Sequence, residues 1–307
     1  MDLDLSDDQT SLRDGIAAML SARIPIDRVR KGFDRAMFDE LAGAGVFSLR
    51  ADGFSWADCV VVFEQLGRHC VPGPLVPSLL LGDGRIAGLA DAPPPVWIEH
   101  LDALDVLLLP GPDGMRIVDA AAIEADPSPW PLDPCTPVAR ATALPAGDPV
   151  KADERFRLAG TALTAALQLG LADRLTELAV TYAKERMQFD RPIGSFQAIK
   201  HMLADMLTRT EVARAAVFSA GTALDESSGP SAAARLVHGA KVVAGDAAVA
   251  NGKAATQVFG GMGFTWEVDV HLYLKRAWVL ETHFQGADEN ARVVCETVAP
   301  PRIDSAT

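Results

Sequence analysis

The chain has 307 residues, 49% of them hydrophobic, 22% charged and 6% aromatic, with a formal net charge of -13. That length can bury a sizeable core, as one large domain or as two or three small ones. The acidity argues against a nucleic-acid partner, because a phosphate backbone would be repelled. No stretch reaches the roughly 18 uninterrupted apolar residues of a membrane span. The opening run Met1–Leu5 is acidic where a secretory leader would be basic, so a cytoplasmic location is expected. Cys59, Cys70, Cys135 and Cys295 share no metal-ligand spacing, nor do the six histidines, so reduced thiols and no metal are expected.

In chain order, Ser6 can cap a first helix through Leu12, Ile16 and Leu20, which recur at spacing four. A second helix is expected over Phe38 to Ala44. A third runs through Val60, Phe63 and Leu66 and stops at Gly67-Arg68, ahead of Pro72-Gly73-Pro74. From about residue 92 the signal changes. Val106–Leu109 and Met115–Val118 read as short strands, and prolines at 127, 129, 131, 134 and 137 exclude long helices. From Phe156 onward Leu163, Leu167, Leu171, Leu175, Leu178 and Tyr182 draw one apolar stripe along a helix. Ile199, Leu203 and Met206 open another after Pro192, an alanine-rich helix covers 231–256, and a fourth is expected from Trp266 to Thr282. Four long helices joined by short loops predict a bundle. The organisation is then 1–91 helical, 92–152 β and 153–307 a four-helix bundle.

Two segments sit at the ends of bundle helices. The first is Tyr182-Ala-Lys-Glu-Arg186-Met-Gln-Phe189-Asp-Arg-Pro-Ile-Gly-Ser-Phe196-Gln197, and the second is Gln257-Val-Phe-Gly260-Gly261-Met-Gly263-Phe264-Thr265. Taken singly, they are a helix–loop–helix with Ser195 as N-cap and a glycine-rich helix stop. Phe189 alone could equally be a core residue. Together and in this order they resemble the two flavin-contacting segments of the acyl-CoA dehydrogenase family. Asp7-Asp8-Gln9 with Leu12-Arg13, Leu41–Val46 and Phe63–Arg68 resemble that family's N-terminal helices.

The resemblance implies a mostly α fold: a helical N-terminal domain, a middle β domain and a C-terminal four-helix bundle. It implies FAD as cofactor and an acyl-CoA thioester as substrate, desaturated between Cα and Cβ, with an electron-transfer flavoprotein as the usual acceptor. Position by position, Arg186 would reach the FAD pyrophosphate, Phe189 would pack on the cofactor, and Gln257, Gly260 and Gly261 would line its ADP portion. A guanidinium fork suits a pyrophosphate, and glycines let backbone approach it closely. In the family these groups reach into a neighbouring subunit's site, which implies an oligomer.

Two departures stand out. The 92–152 segment is about half of what the family's middle β-barrel needs. The family's catalytic glutamate aligns with Phe284, within Thr282-His283-Phe284-Gln285-Gly286, and the alternative position used by other members falls near Gly160. Neither can take a proton, so no catalytic residue is assigned. The sequence resembles the short subunit of actinobacterial heterotetramers from lipid and steroid catabolism, paired with a full-length homologue that supplies the glutamate. Two other readings stay open: a self-sufficient homo-oligomer with Glu281 or Glu289 as a displaced base, and a flavin-free structural pseudoenzyme.

Overall fold

The computed structural model describes residues 4–111, 114–150, 155–226 and 230–298. Residues 1–3 and the expected boundary at 152–153 lie outside these.

The chain opens with helices. Helix α1 (Asp7–Arg23) starts at Ser6, the expected cap, which forms a capping box with Gln9. Helix α2 (Ile26–Val29) is a single turn, and α3 (Arg35–Gly43) is capped by Asp34. Helix α4 (Trp56–Arg68) ends at Arg68, where the sequence places its stop. A Cβ on Gly67 would overlap the backbone of Leu167, and one on Gly170 would overlap that of Glu64. These glycines therefore also mark a backbone-to-backbone helix crossing. Helix α5 (Leu75–Leu81) was hidden by its prolines. Pro77 sits in its first turn, where the missing N–H costs no helical hydrogen bond.

The next segment is a small set of strands. β1 (Ala87–Leu89) pairs parallel with β3 (Val106–Gly111), which forms an antiparallel pair with β4 (Gly114–Asp119). β2 (Val96–Glu99) pairs antiparallel with β6 (Val138–Ala141), and β6 with the short β5 (Asp126–Pro127). β7 (Asp148–Val150) closes the first sheet beside β4.

The C-terminal half is helical. Helix α6 (Phe156–Glu185) is its axis, packed on α4 and on α7 (Gln197–Asp225) and α8 (Pro230–Phe259). The apolar stripe of α6 is only part of its burial: every residue from Ala159 to Ala172 is buried. Small residues on the other faces make this possible, as expected of a helix surrounded by partners. The chain thus covers this stripe itself. The fourth bundle helix, α9, spans Val270–Thr282, four residues later than expected, and α10 (Ala287–Thr297) was not anticipated.

Two polar clusters tie the parts together. Glu64 on α4 pairs with Arg214 on α7, which also binds Asp173 on α6 at 3.0 Å. Inside the bundle, buried Asn251 donates through Nδ2 to the carbonyls of Ala172 and Met206 and to the hydroxyls of Thr176 and Thr210. Among the described residues no group of acidic, His or Cys side chains could hold a metal, and no helix is long and apolar enough to cross a membrane. Cys59, Cys70 and Cys135 are buried free thiols, and Cys295 is exposed.

Candidate active site and flavin-contact surface

The two flavin-like segments meet at one end of the bundle. Tyr182, on the last turn of α6, stacks on Phe259 at the end of α8, with ring centroids 4.0 Å apart and planes 14° apart. Arg186 follows Tyr182 by four residues, and Gly260-Gly261 follows Phe259 directly. Arg186 caps α6 through its backbone, and its side chain is exposed. After it the chain turns tightly: β8 (Met187–Gln188) pairs with β9 (Arg191–Pro192) around Phe189-Asp190.

Both turn residues have left-handed backbones, φ 52 and 62. Such a turn suits Asn-Gly, and an aromatic there is held at a cost. Asp190 is among the residues that tolerate this conformation. Phe189 is 85% exposed, which rules out a core role, and its ring meets Phe196 edge-on. Phe196, not Ser195, occupies the N-cap of α7.

Gln257 is exposed on the last turns of α8, Gly260 has φ +62, and a Cβ on Gly260 or Gly261 would meet nothing within 4 Å. The chain therefore leaves a cationic fork, an amide and two bare glycines facing outward. That donor set suits the pyrophosphate and ribose of a dinucleotide. Phe264 beside them is 81% exposed.

The second feature is a cavity of about 680 Å³ between the strands and the end of α9. Its wall is apolar over Leu75, Val76, Leu89, Val96, Leu167 and Leu280, with Glu99, His283, Gln285 and Glu289 among its polar groups. Phe284 lies at its edge, 4% exposed. Its ring fills the recess above Gly160 so closely that a Cβ on Gly160 would overlap it. The two positions where a catalytic carboxylate was sought thus face each other, a ring seated on a bare backbone.

The loop carrying Phe284 is firmly held. Lys241 on α8 donates to the carbonyls of Leu280 (3.0 Å) and Glu281 (3.1 Å), at the negative end of α9. Buried Asn290 donates through Nδ2 to the carbonyls of Phe284, Gln285 and Gly286. These bonds keep Phe284 and Gln285 at φ 51 and 74. Burial pushes the Lys241 ammonium down to about 8.

Of the carboxylates weighed as displaced bases, Glu281 does not line the cavity. Glu289 does, and its carboxylate accepts the Gly286 N–H at 3.0 Å as a helix cap. Sequence reasoning missed a third: Glu99, 2.7 Å from Nε2 of His283 across the cavity wall. Only the place of His283, next to the expected base position, could have hinted at it.

Known proteins agree with this architecture. Residues 157–297 match the family model for the acyl-CoA dehydrogenase C-terminal domain. The acyl-CoA dehydrogenase IpdE2 of Mycolicibacterium smegmatis is 31% identical over 303 residues, covering 89% of this chain and 93% of that protein. Among solved structures, the ChsE4-ChsE5 complex from Mycobacterium tuberculosis superposes with a TM-score of 0.81 at 22% identity, covering 98% of this chain and 100% of that one. Butyryl-CoA dehydrogenase from Megasphaera elsdenii gives 0.81 at 18% identity, covering 96% and 99%. The chain belongs to the acyl-CoA dehydrogenase family.

Proposed function

We propose that this chain is the non-basic subunit of a hetero-oligomeric, FAD-dependent acyl-CoA dehydrogenase. A full-length homologue would supply the catalytic glutamate, and an electron-transfer flavoprotein would receive the electrons. The observation that carries this reading is the Phe284 ring seated on Gly160, which leaves neither base position able to accept a proton. Meanwhile Arg186, Gln257, Gly260 and Gly261 face outward, as groups completing a neighbour's flavin site would. Bound there, FAD would supply the hydride acceptor for desaturation. Arg186 would fork onto its pyrophosphate, Gln257 would meet the polar edge of its ADP portion, and Phe189 would cover it. That one similar structure is a complex of ChsE4 with ChsE5 supports a pairing of unlike chains.

The test is flavin content. Arg186→Ala removes a charge-assisted contact of roughly 1.5–3 kcal/mol. It should weaken FAD retention in the co-purified complex about ten- to a hundred-fold. Arg186→Lys should rescue only part, because an ammonium cannot make the bidentate fork. Unchanged flavin in the alanine variant would remove Arg186 from the site.

A further inference from the structure

Residues 260–269 join α8 to α9, and Gly260 and Gly261 open that stretch. Glycine has more backbone freedom to lose than any other residue, so a ligand contact made through such a run costs ordering entropy unless the fold holds it beforehand. The α8 side holds the first half. Gly263 is buried, with its hydrogen against the backbone of Thr256, where a Cβ would overlap. Thr265 then closes the turn, giving both its N–H and its hydroxyl to the Met262 carbonyl at 2.9 Å.

The second half is held from the other end of the sequence. Arg30 follows α2 directly and lies 236 positions before Trp266. Its Nη1 donates to the Trp266 carbonyl at 2.9 Å, while Nε at 3.1 Å and Nη2 at 2.5 Å both donate to Oδ1 of Asp269. Asp269 is the N-cap of α9, a position where the carboxylate ordinarily turns onto its own helix. Here the side chain makes no such bond, and the carbonyl serves the helix by accepting the Leu272 N–H at 2.9 Å. The carboxylate goes to Arg30 instead. The two side chains keep 22% and 28% of their surface exposed, so water screens the contact less than it would a surface pair. The Trp266 ring is held in turn, edge-on to His271 at 4.8 Å and beneath the Lys275 ammonium at 5.3 Å, yet it stays exposed.

We propose that Arg30 is a positioning residue for the flavin-contact turn: by bracing Trp266 and Asp269 it fixes the path of residues 260–269 before a dinucleotide binds. All three guanidinium nitrogens of Arg30 are engaged by this segment, so it acts through the turn rather than on the ligand. The N-terminal helices thereby share in a surface whose contact residues all lie in the bundle. The consequence for flavin rests on the reading of Arg186, Gln257, Gly260 and Gly261 given above; the brace itself rests on its hydrogen bonds. Without it the glycines sample other paths, and the ordering cost reappears on binding.

The test measures FAD affinity, by quenching of flavin fluorescence, and amide hydrogen exchange across residues 260–269. The protein is the full chain co-purified with a long homologue, or the self-associated chain where no complex forms. Arg30→Ala should weaken FAD binding about two- to tenfold, the ordering cost of an immobilised side chain expressed as affinity. It should also speed exchange at residues 260–266. Arg30→Lys should keep part of both, because an ammonium lacks the planar fork that spans carbonyl and carboxylate. Arg28→Ala is the control: it removes a neighbouring guanidinium that pairs with Glu40, and should change neither readout. Asp269→Asn breaks the contact from the other side, so it should weaken FAD binding as well, and joined to Arg30→Ala it should add nothing. Thermal melting shows which variants fold; where Arg30→Ala does not, Asp269→Asn and Arg30→Lys carry the test. Unchanged exchange at 260–266 in a folded Arg30→Ala overturns the proposal, as do additive losses in the double variant. Arg186→Ala separates the two readings. If it loses flavin while Arg30→Ala does not, the positioning role is overturned and the flavin surface stands. If both keep flavin, the surface reading fails, and the exchange rates alone decide whether Arg30 braces the turn.

Discussion

Phe284 and Gly160 are complementary at the scale of single atoms, and that complementarity can be measured. Gly160→Ala should destabilise the protein by about 1–3 kcal/mol, because its methyl has no room beneath the ring. Phe284→Ala should cost about 3–5 kcal/mol through the cavity it leaves. In the Phe284→Ala background the Gly160→Ala change should become neutral or stabilising, since alanine is the better helix former by about 1 kcal/mol. Urea denaturation of the four proteins gives the coupling directly. Strict additivity would show that the ring and the glycine do not share a space. The missing carboxylate was legible in the sequence because the base position lies at a fixed offset from Gln257, along one continuous loop and helix. Glu99 with His283 was not, because 184 positions separate them and only the folded sheet brings them together. Phe189 was read as either cofactor contact or core, and its exposure in a tight turn settles against the core.

Among elements, the long helices were readable because α6 to α9 carry their apolar residues at regular helical spacing over many turns. What escaped were helices whose start signals imitate breaks. Pro74 and Pro77 disguise α5, although both sit where a helix needs no N–H donor. Gly67-Arg68 does end α4, but sequence could not show that the Gly67 hydrogen also faces the backbone of another helix. The join between α8 and α9 makes its own prediction. Lys241 is pushed down to about 8 from an ordinary 10.5, so the folded state binds its proton less tightly than the unfolded chain does. Between about pH 8 and 10.5 the unfolded state therefore holds more protons, and stability from this residue rises with pH. Subtracting the Lys241→Met variant should reveal a difference in unfolding free energy that grows in the wild type's favour across that window. A flat difference would mean that Lys241 titrates like a solvated ammonium.

For the whole molecule, the distribution of apolar surface points to assembly. The helical stripe of α6 is covered by the chain itself, but Met187, Phe189, Phe264 and Trp266 remain exposed near the ends of α6 and α8. Stable obligate interfaces bury roughly 2,000 Å² or more and are richer in apolar groups than transient ones. The isolated chain should therefore self-associate or aggregate, and co-expression with a long homologue should give a soluble, monodisperse complex. A clean monomer by light scattering would count against an interface at that end.

The account stands most directly on where the base is. Removing a proton beside a thioester without a positioned base forfeits about 10²- to 10⁴-fold in rate. Dye reduction with a panel of acyl-CoAs, run on the chain supplied with FAD and on the chain with its long homologue, measures this. The account predicts turnover only for the pair, abolished when the homologue's glutamate becomes glutamine and altered no more than a few-fold by Glu281→Gln or Glu289→Gln in this chain. Robust turnover by the single chain, lost on changing Glu281 or Glu289, would contradict it.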